Sequence, residues 1–178
     1  PRTKFAAGGT LCIIGCGNGM KDEYSFGDVF SEDGYPGHVL LIDVPAALAE
    51  KARELAAQWG IPCTSGTWGE IDPHLTELAP HGVKDIVCLG TPSRTLLERL
   101  CKADVWADGG ILAILSTEPM AEPVAFDYRR VHYDSVIIVG ATSTCIADAY
   151  RPTRPNYNLK PDGSTIMVGA GGPMGQKH

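Results

Sequence analysis

Short, nearly continuous apolar runs recur along the chain, and they constrain its fold more than any other feature. They are "TLCII" at 10–14, "HVLLIDV" at 38–44, "DIVCLG" at 85–90, "GGILAILS" at 109–116 and "DSVIIVGAT" at 134–142. A strand with one face in water alternates apolar and polar residues, whereas one buried on both faces does not. A shorter run, Ile61-Pro62-Cys63-Thr64, reads as a further strand between the second and third of these. Strands buried on both faces belong to parallel sheets, whose crossovers are right-handed and carry helices. The expected fold class is therefore α/β: a doubly wound, mostly parallel, Rossmann-like sheet of about six strands with helices on both faces.

The clearest helix is "PAALAEKARELAAQW" at 45–59. Leu48, Ala52, Leu55, Ala56 and Trp59 repeat at three- and four-residue spacing, Pro45 suits a first turn, and Gly60 is a stop signal. A weaker helical pattern covers 70–79, and Thr91-Pro92-Ser93 opens a helix with Leu96, Leu97 and Leu100 inward. The first crossover is irregular. Tyr24, Phe26, Val29 and Phe30 offer an apolar face within 21–37, but Gly27, Gly34, Pro36 and Gly37 predict a short or distorted helix there.

The domain expected from these elements covers 8–150. Residues 151–163, with three prolines, read as a linker, and 164–178 as an extra strand and glycine turn that begin a following unit. The chain starts at Pro1 without a methionine, and it reads as a piece of a longer protein. Its 44% hydrophobic and 20% charged residues fit a globular protein. A net charge of −6 without a basic run argues against nucleic acid and anionic membranes. No apolar stretch reaches the roughly 20 residues of a membrane helix, and no signal peptide is visible, so the expected compartment is the cytoplasm. The six cysteines form no CxxC pair and complete no zinc pattern with His74, His81 or His132, so they read as reduced and structural. No metal ligand and no catalytic residue is expected.

Two glycine turns follow apolar strands. In "GCGNGM", Gly15 and Gly17 match the first two glycines of GxGxxG, while Gly19 falls one place early and Met20 occupies the third position. Such a turn lets backbone approach a pyrophosphate at a helix start. Asp43, at the end of the second strand, stands where a carboxylate accepts ribose hydroxyls, and it would disfavour a 2′-phosphate, which favours NAD over NADP. Asp43 equally fits a cap or a solvated loop residue, and the turn equally fits a purely structural one. Asp22 and Glu23 close by would repel a phosphate. Gly90, Thr91 and Gly140 end strands on the same edge and are lining candidates. The second turn, "GAGGPMG", carries Gly169, Gly171, Gly172 and Gly175 and has the better glycine spacing, but no helix follows it.

The order "GCGNGM… LLIDV… DIVCLG… GGILAILS… VHYDSVIIVGATS" resembles the coenzyme domain of medium-chain dehydrogenases. Within it, "RRVHYDSVIIVGATS" at 129–143 is similar to the branch that includes L-sorbose 1-phosphate reductase. The resemblance spans roughly 9–145. It implies a six-stranded Rossmann sheet and hydride transfer between NAD(P) and an alcohol or ketone, with a sugar or sugar phosphate as substrate. Carried over, Gly15, Gly17 and Gly19 would face the pyrophosphate, Asp43 the adenosine ribose, and Gly90, Thr91 and Gly140 the nicotinamide side. The family's zinc ligands and proton relay lie mainly in a separate domain that nothing here matches. The chain is thus expected to be catalytically incomplete alone. Its expected partners are a dinucleotide, other domains of a longer chain, and further copies in a homo-oligomer.

Two rival readings remain. "GCGNG" followed by "LLIDVPAALAEKARELA" is similar to the first two motifs of methyltransferases that use S-adenosylmethionine. Those enzymes carry an acidic residue before the glycine turn, where this chain has Ile13 and Ile14, and they finish on an antiparallel strand pair. The third reading is a non-catalytic Rossmann-like module for packing or oligomerisation, favoured by the irregular first crossover and the acidic pair.

Overall fold

The computed structural model describes residues 2–102, 104–125 and 129–151. The linker from 152, the expected strand at 164–168 and the second glycine turn lie outside the described residues.

Six strands form one sheet: β1 Thr10–Gly15, β2 His38–Ile42, β3 Cys63–Gly66, β4 Val83–Leu89, β5 Trp106–Leu115 and β6 Ile137–Ala141. Their spatial order is β3-β2-β1-β4-β5-β6, and every pairing is parallel. That order is the doubly wound Rossmann arrangement, in which the direction of winding reverses between β1 and β4. No antiparallel strand pair follows β5 among the described residues, which leaves the methyltransferase reading without its closing element.

The apolar runs are buried for the expected reason. Leu11 and Ile13 of β1, Val39 and Leu41 of β2, and Val87 and Leu89 of β4 point into one core. Their alternates, Cys12, Ile14, Leu40, Ile42, Ile86 and Cys88, point into the other. Helix α1, Ala46–Gln58, covers the first face with Leu48, Ala49, Ala52 and Ala56. Helices α2, Ile71–Leu78, and α3, Arg94–Leu100, cover the second. After the short α4, Arg129–Tyr133, and β6, helix α5, Ile146–Tyr150, returns to the first face. Strand β3 starts two residues later than the sequence suggests, because the Ile61 N–H caps α1 through the Ala56 carbonyl.

The first crossover departs from expectation altogether: no helix forms between Cys16 and Gly37. The segment crosses the first face as turns, held by a parallel bridge between Ser25 and Cys145 and an antiparallel one between Ser31 and Gly34. Its glycines are sites of close packing rather than helix kinks. Gly27 has φ +60°, and a Cβ there would meet Ala147 and Cys145 at 2.8 Å. Phe26 and Phe30 replace the missing helix face. They join Phe5 and Tyr150 in edge-to-face contacts with ring centroids 5.4 to 6.3 Å apart.

Candidate functional site

In open α/β sheets ligands bind beyond the carboxyl ends of the strands, at the point where winding reverses. Here that point lies between β1 and β4. A cavity of about 390 Å³ opens there, walled by Cys16, Asn18, Thr91, Ser93, Arg94 and Met120. Cys16 and Asn18 of the turn form one wall and the start of α3 the other. Ser93 caps α3 by accepting from the Leu96 N–H at 3.2 Å.

The turn is fastened to its surroundings largely by backbone. Asn18 accepts from the Thr91 N–H at 2.7 Å, and the Cys16 N–H donates to the Leu89 carbonyl at 2.9 Å. Gly15 lacks a Cβ because one would lie directly against the Asp43 carbonyl oxygen. Gly90 has φ +90°, and a Cβ there would stand 2.5 Å from the Asn18 oxygen. These two glycines are thus required by the chain's own packing. Gly17 and Gly19 both have positive φ; nothing lies within 4 Å of a Cβ built on Gly17, whereas one on Gly19 would meet the Glu118 side chain at 2.9 Å. Among the described residues neither of their N–H groups donates a hydrogen bond, whereas the Asn18 and Met20 N–H groups donate within the turn. The turn thus presents two amides without a protein partner, on either side of Asn18.

Asp43 lies at the tip of β2 with φ +49°, exposed, and its Oδ2 accepts from the Trp68 N–H at 2.9 Å. Among the described residues Oδ1 has no hydrogen bond, so one carboxylate oxygen serves the β3–α2 connection and one is available. Thr91 is buried, and its hydroxyl is engaged by the Ser116 hydroxyl at 2.5 Å and the Glu118 carbonyl at 2.9 Å. Its side chain therefore ties the ends of β4 and β5, and its backbone is what borders the cavity. Gly140 pairs with Ile114 on β6, three strands from β1. At about 4.8 Å per strand, that places it roughly 14 Å along the edge, in an open depression bordered by Ser116 and Glu118, the residues on which Thr91 and Gly19 also rest. Gly15, Gly17, Gly19, Asp43, Gly90 and Thr91 therefore lie around the β1/β4 end, and Gly140 lies further along the same edge.

Asp22 and Glu23 are exposed. Arg94 pairs with Glu98 at 2.8 Å and Glu122 at 3.8 Å, and the Glu98 carboxylate beside it raises its pKa and holds it charged. The sequence reading missed the wall residues Cys16, Asn18, Arg94 and Met120. Asn18 and Cys16 lie inside the motif "GCGNGM", and the sequence marks Ser93 only as part of a helix start. A larger cavity, about 470 Å³, lies on the first face between 23–30 and α1, lined by Tyr24, Phe26, Phe30, Lys51 and Leu55. It flanks the sheet where the absent crossover helix would have packed, away from the switch point. Among the described residues no group of histidine, cysteine or carboxylate side chains is arranged to hold a metal ion, and no helix is long and apolar enough to cross a membrane.

No protein-family model and no curated protein sequence matches the chain. Solved structures do match in fold. Benzyl alcohol dehydrogenase from Acinetobacter calcoaceticus is 15% identical with a TM-score of 0.52, over 83% of this chain and 37% of the other. 2R,3R-butanediol dehydrogenase from Bacillus subtilis is 14% identical with a TM-score of 0.50, over 83% and 39%. An alcohol dehydrogenase zinc-binding domain protein from Burkholderia ambifaria is 13% identical with a TM-score of 0.50, over 82% and 37%. The fold is a Rossmann fold. At these identities the likeness is one of architecture, and the chain spans less than two fifths of each of these proteins.

Proposed function

We propose that the chain is the dinucleotide-binding domain of an NAD(P)-dependent dehydrogenase or reductase, acting within a longer cytoplasmic protein. The observation that carries this reading is the turn at the β1/β4 switch point, whose Gly17 and Gly19 amides have no protein partner among the described residues and whose Cys16 and Asn18 wall the cavity. The fold it shares with alcohol-oxidising enzymes supports it. Gly17 and Gly19 donate to the pyrophosphate. The open space over Gly17 admits it, although no helix dipole assists, so the grip is weaker than in a domain with a helical first crossover. The Asp43 oxygen left open accepts a ribose hydroxyl and repels a 2′-phosphate, which favours NAD over NADP. The bound nicotinamide supplies the hydride chemistry. This chain positions it and contributes no proton relay, and the substrate, read from the resemblance as a sugar or sugar-phosphate alcohol or ketone, is handled by residues elsewhere in the longer protein.

Calorimetric titration tests this directly. NAD(H) is expected to bind with a Kd on the order of 0.1–1 mM, NADP(H) more weakly, and S-adenosylmethionine not at all. Asp43→Ala should weaken NAD(H) and narrow its advantage over NADP(H). Heat with S-adenosylmethionine alone would overturn the assignment. Silence with all three would make the chain a non-catalytic module.

A further inference from the structure

Four of the six thiols sit on the second face of the sheet. Cys12, Cys88 and Cys101 are buried in its core. Cys16 is different, because it is half-buried, packs on that core and also walls the switch-point cavity. Its place follows from strand register. Ile14 pairs with Cys88 across β1 and β4, and Cys16 is two residues beyond Ile14, with its N–H still bonded to Leu89 at 2.9 Å. Side chains two apart along a strand share a face, so Cys16 is the diagonal neighbour of Cys88. The Cys16 Sγ lies 3.7 Å from the Ile14 carbonyl oxygen, folded back toward the level of that pair. The Cys16 thiol beside it, together with burial, pushes the Cys88 thiol well above the usual range.

We propose that Cys16 and Cys88 form a reversible dithiol–disulfide pair, with Cys16 oxidised first by a small hydroperoxide entering the cavity. The Cys16 thiolate attacks the terminal peroxide oxygen and the O–O bond breaks. Cys16 becomes a sulfenic acid and the peroxide leaves as the alcohol, or as water from hydrogen peroxide. The Cys88 sulfur then attacks the Cys16 sulfur, the S–O bond breaks, and the oxygen departs as water with the Cys88 proton. In sum, two thiols and one hydroperoxide give one disulfide, one alcohol and one water. Burial disfavours the Cys88 thiolate, and the position of Cys16 as its diagonal neighbour compensates by making the second step intramolecular. Diagonal neighbours on parallel strands stand about 8 Å apart at Cα, too far for a disulfide without backbone movement, so closing the bond has to draw the turn toward β4 and take Cys16 out of the cavity wall. Cys12 and Cys101 have no such access, and burial holds their thiols up at about 12 and about 11.

The test uses the whole chain, reduced and then treated with substoichiometric hydrogen peroxide, followed by non-reducing peptide mass mapping. The expected product joins the Cys16 and Cys88 peptides, is lighter by two hydrogens and reverses with dithiothreitol. It should accumulate before any other pairing. Cys16→Ser, at a half-buried position, should abolish it with the circular dichroism spectrum unchanged. Cys88→Ala should leave Cys16 as a sulfenic acid captured by dimedone. Another cysteine pair linking first, or wild-type Cys16 captured by dimedone with no link to Cys88, would overturn the proposal. Neither readout involves a nucleotide, so this result is separate from that of the cofactor titration.

Discussion

Strand β4 is held at both ends, by different chemistry. At its amino end Asp85 is 1% exposed and gathers two distant segments, the amino terminus through Arg2 at 3.2 Å and the Ala6 N–H at 2.7 Å, and α5 through the Tyr150 hydroxyl at 3.0 Å. At its carboxyl end Gly90 and Thr91 are held by the backbone of the 15–19 turn and by Ser116. The amino end is closed with a buried carboxylate whose partners are satisfied. The carboxyl end is closed with glycines and main-chain bonds, which take up little room. A sheet edge that keeps a cavity open has to be fastened without bulky side chains, and that is the end at which the cavity lies.

Substitutions at the two ends should fail for different reasons. Gly15→Ala should be the most damaging, by about 4 kcal/mol or more, since its Cβ runs into the Asp43 carbonyl and backbone must move; urea unfolding measures it. Asp85→Ala should cost about 3 kcal/mol, because it strands the Tyr150 hydroxyl and the Ala6 N–H without an acceptor. A loss below about 1 kcal/mol there would mean the amino end is not the clamp described.

The same carboxyl sets a pH dependence. Burial raises the Asp85 pKa above its ordinary value, against the pull of Arg2, whose side chain is 31% exposed and partly screened. The folded state therefore keeps the proton to a higher pH than the unfolded one. The contribution of Asp85 is fully present below the unfolded pKa and is lost as pH rises through the raised one. The Tm difference between wild type and Asp85→Asn should accordingly move against the wild type as the pH rises from about 3.8 upward. Tyr150, pushed well above the usual range by burial and then by Asp85, stays a donor throughout.

Smaller changes sharpen the contrast. Gly90→Ala should cost about 2–3 kcal/mol, combining a left-handed backbone with the Asn18 contact. Gly60→Ala has the same kind of backbone, φ +66°, but open space around it, and should cost only about 1 kcal/mol. Equal losses at the two sites would remove the argument that the turn is packed on β4. Ser93→Ala, which uncaps α3, should cost about 1 kcal/mol in the same unfolding assay.

Much of this fold was legible in the sequence. Runs such as "LCII" and "DIVCL" are apolar at every position because each residue meets one core or the other, and that requirement is local and periodic. Helix α1 was equally legible from its spacing. The Gly15–Asp43 corner was legible as a place, since strand ends and turns can be read along the chain. What filled 21–37 was not. Its four apolar residues suggested a helix face, but the segment is shaped by Gly27 packing on α5 more than a hundred residues away.

The amino-acid order by itself determined the strands, the main helices and the class of sheet, because burial on both faces leaves its mark in consecutive residues. Only the tertiary structure decided what the polar and glycine residues do. It assigned Gly15 and Gly90 to the chain's own packing and left Gly17 and Gly19 with free amides. It gave one oxygen of Asp43 to Trp68 and placed Cys16 beside Cys88. Those outcomes depend on which backbone crosses which, and a crossing between distant segments has no periodicity to announce it.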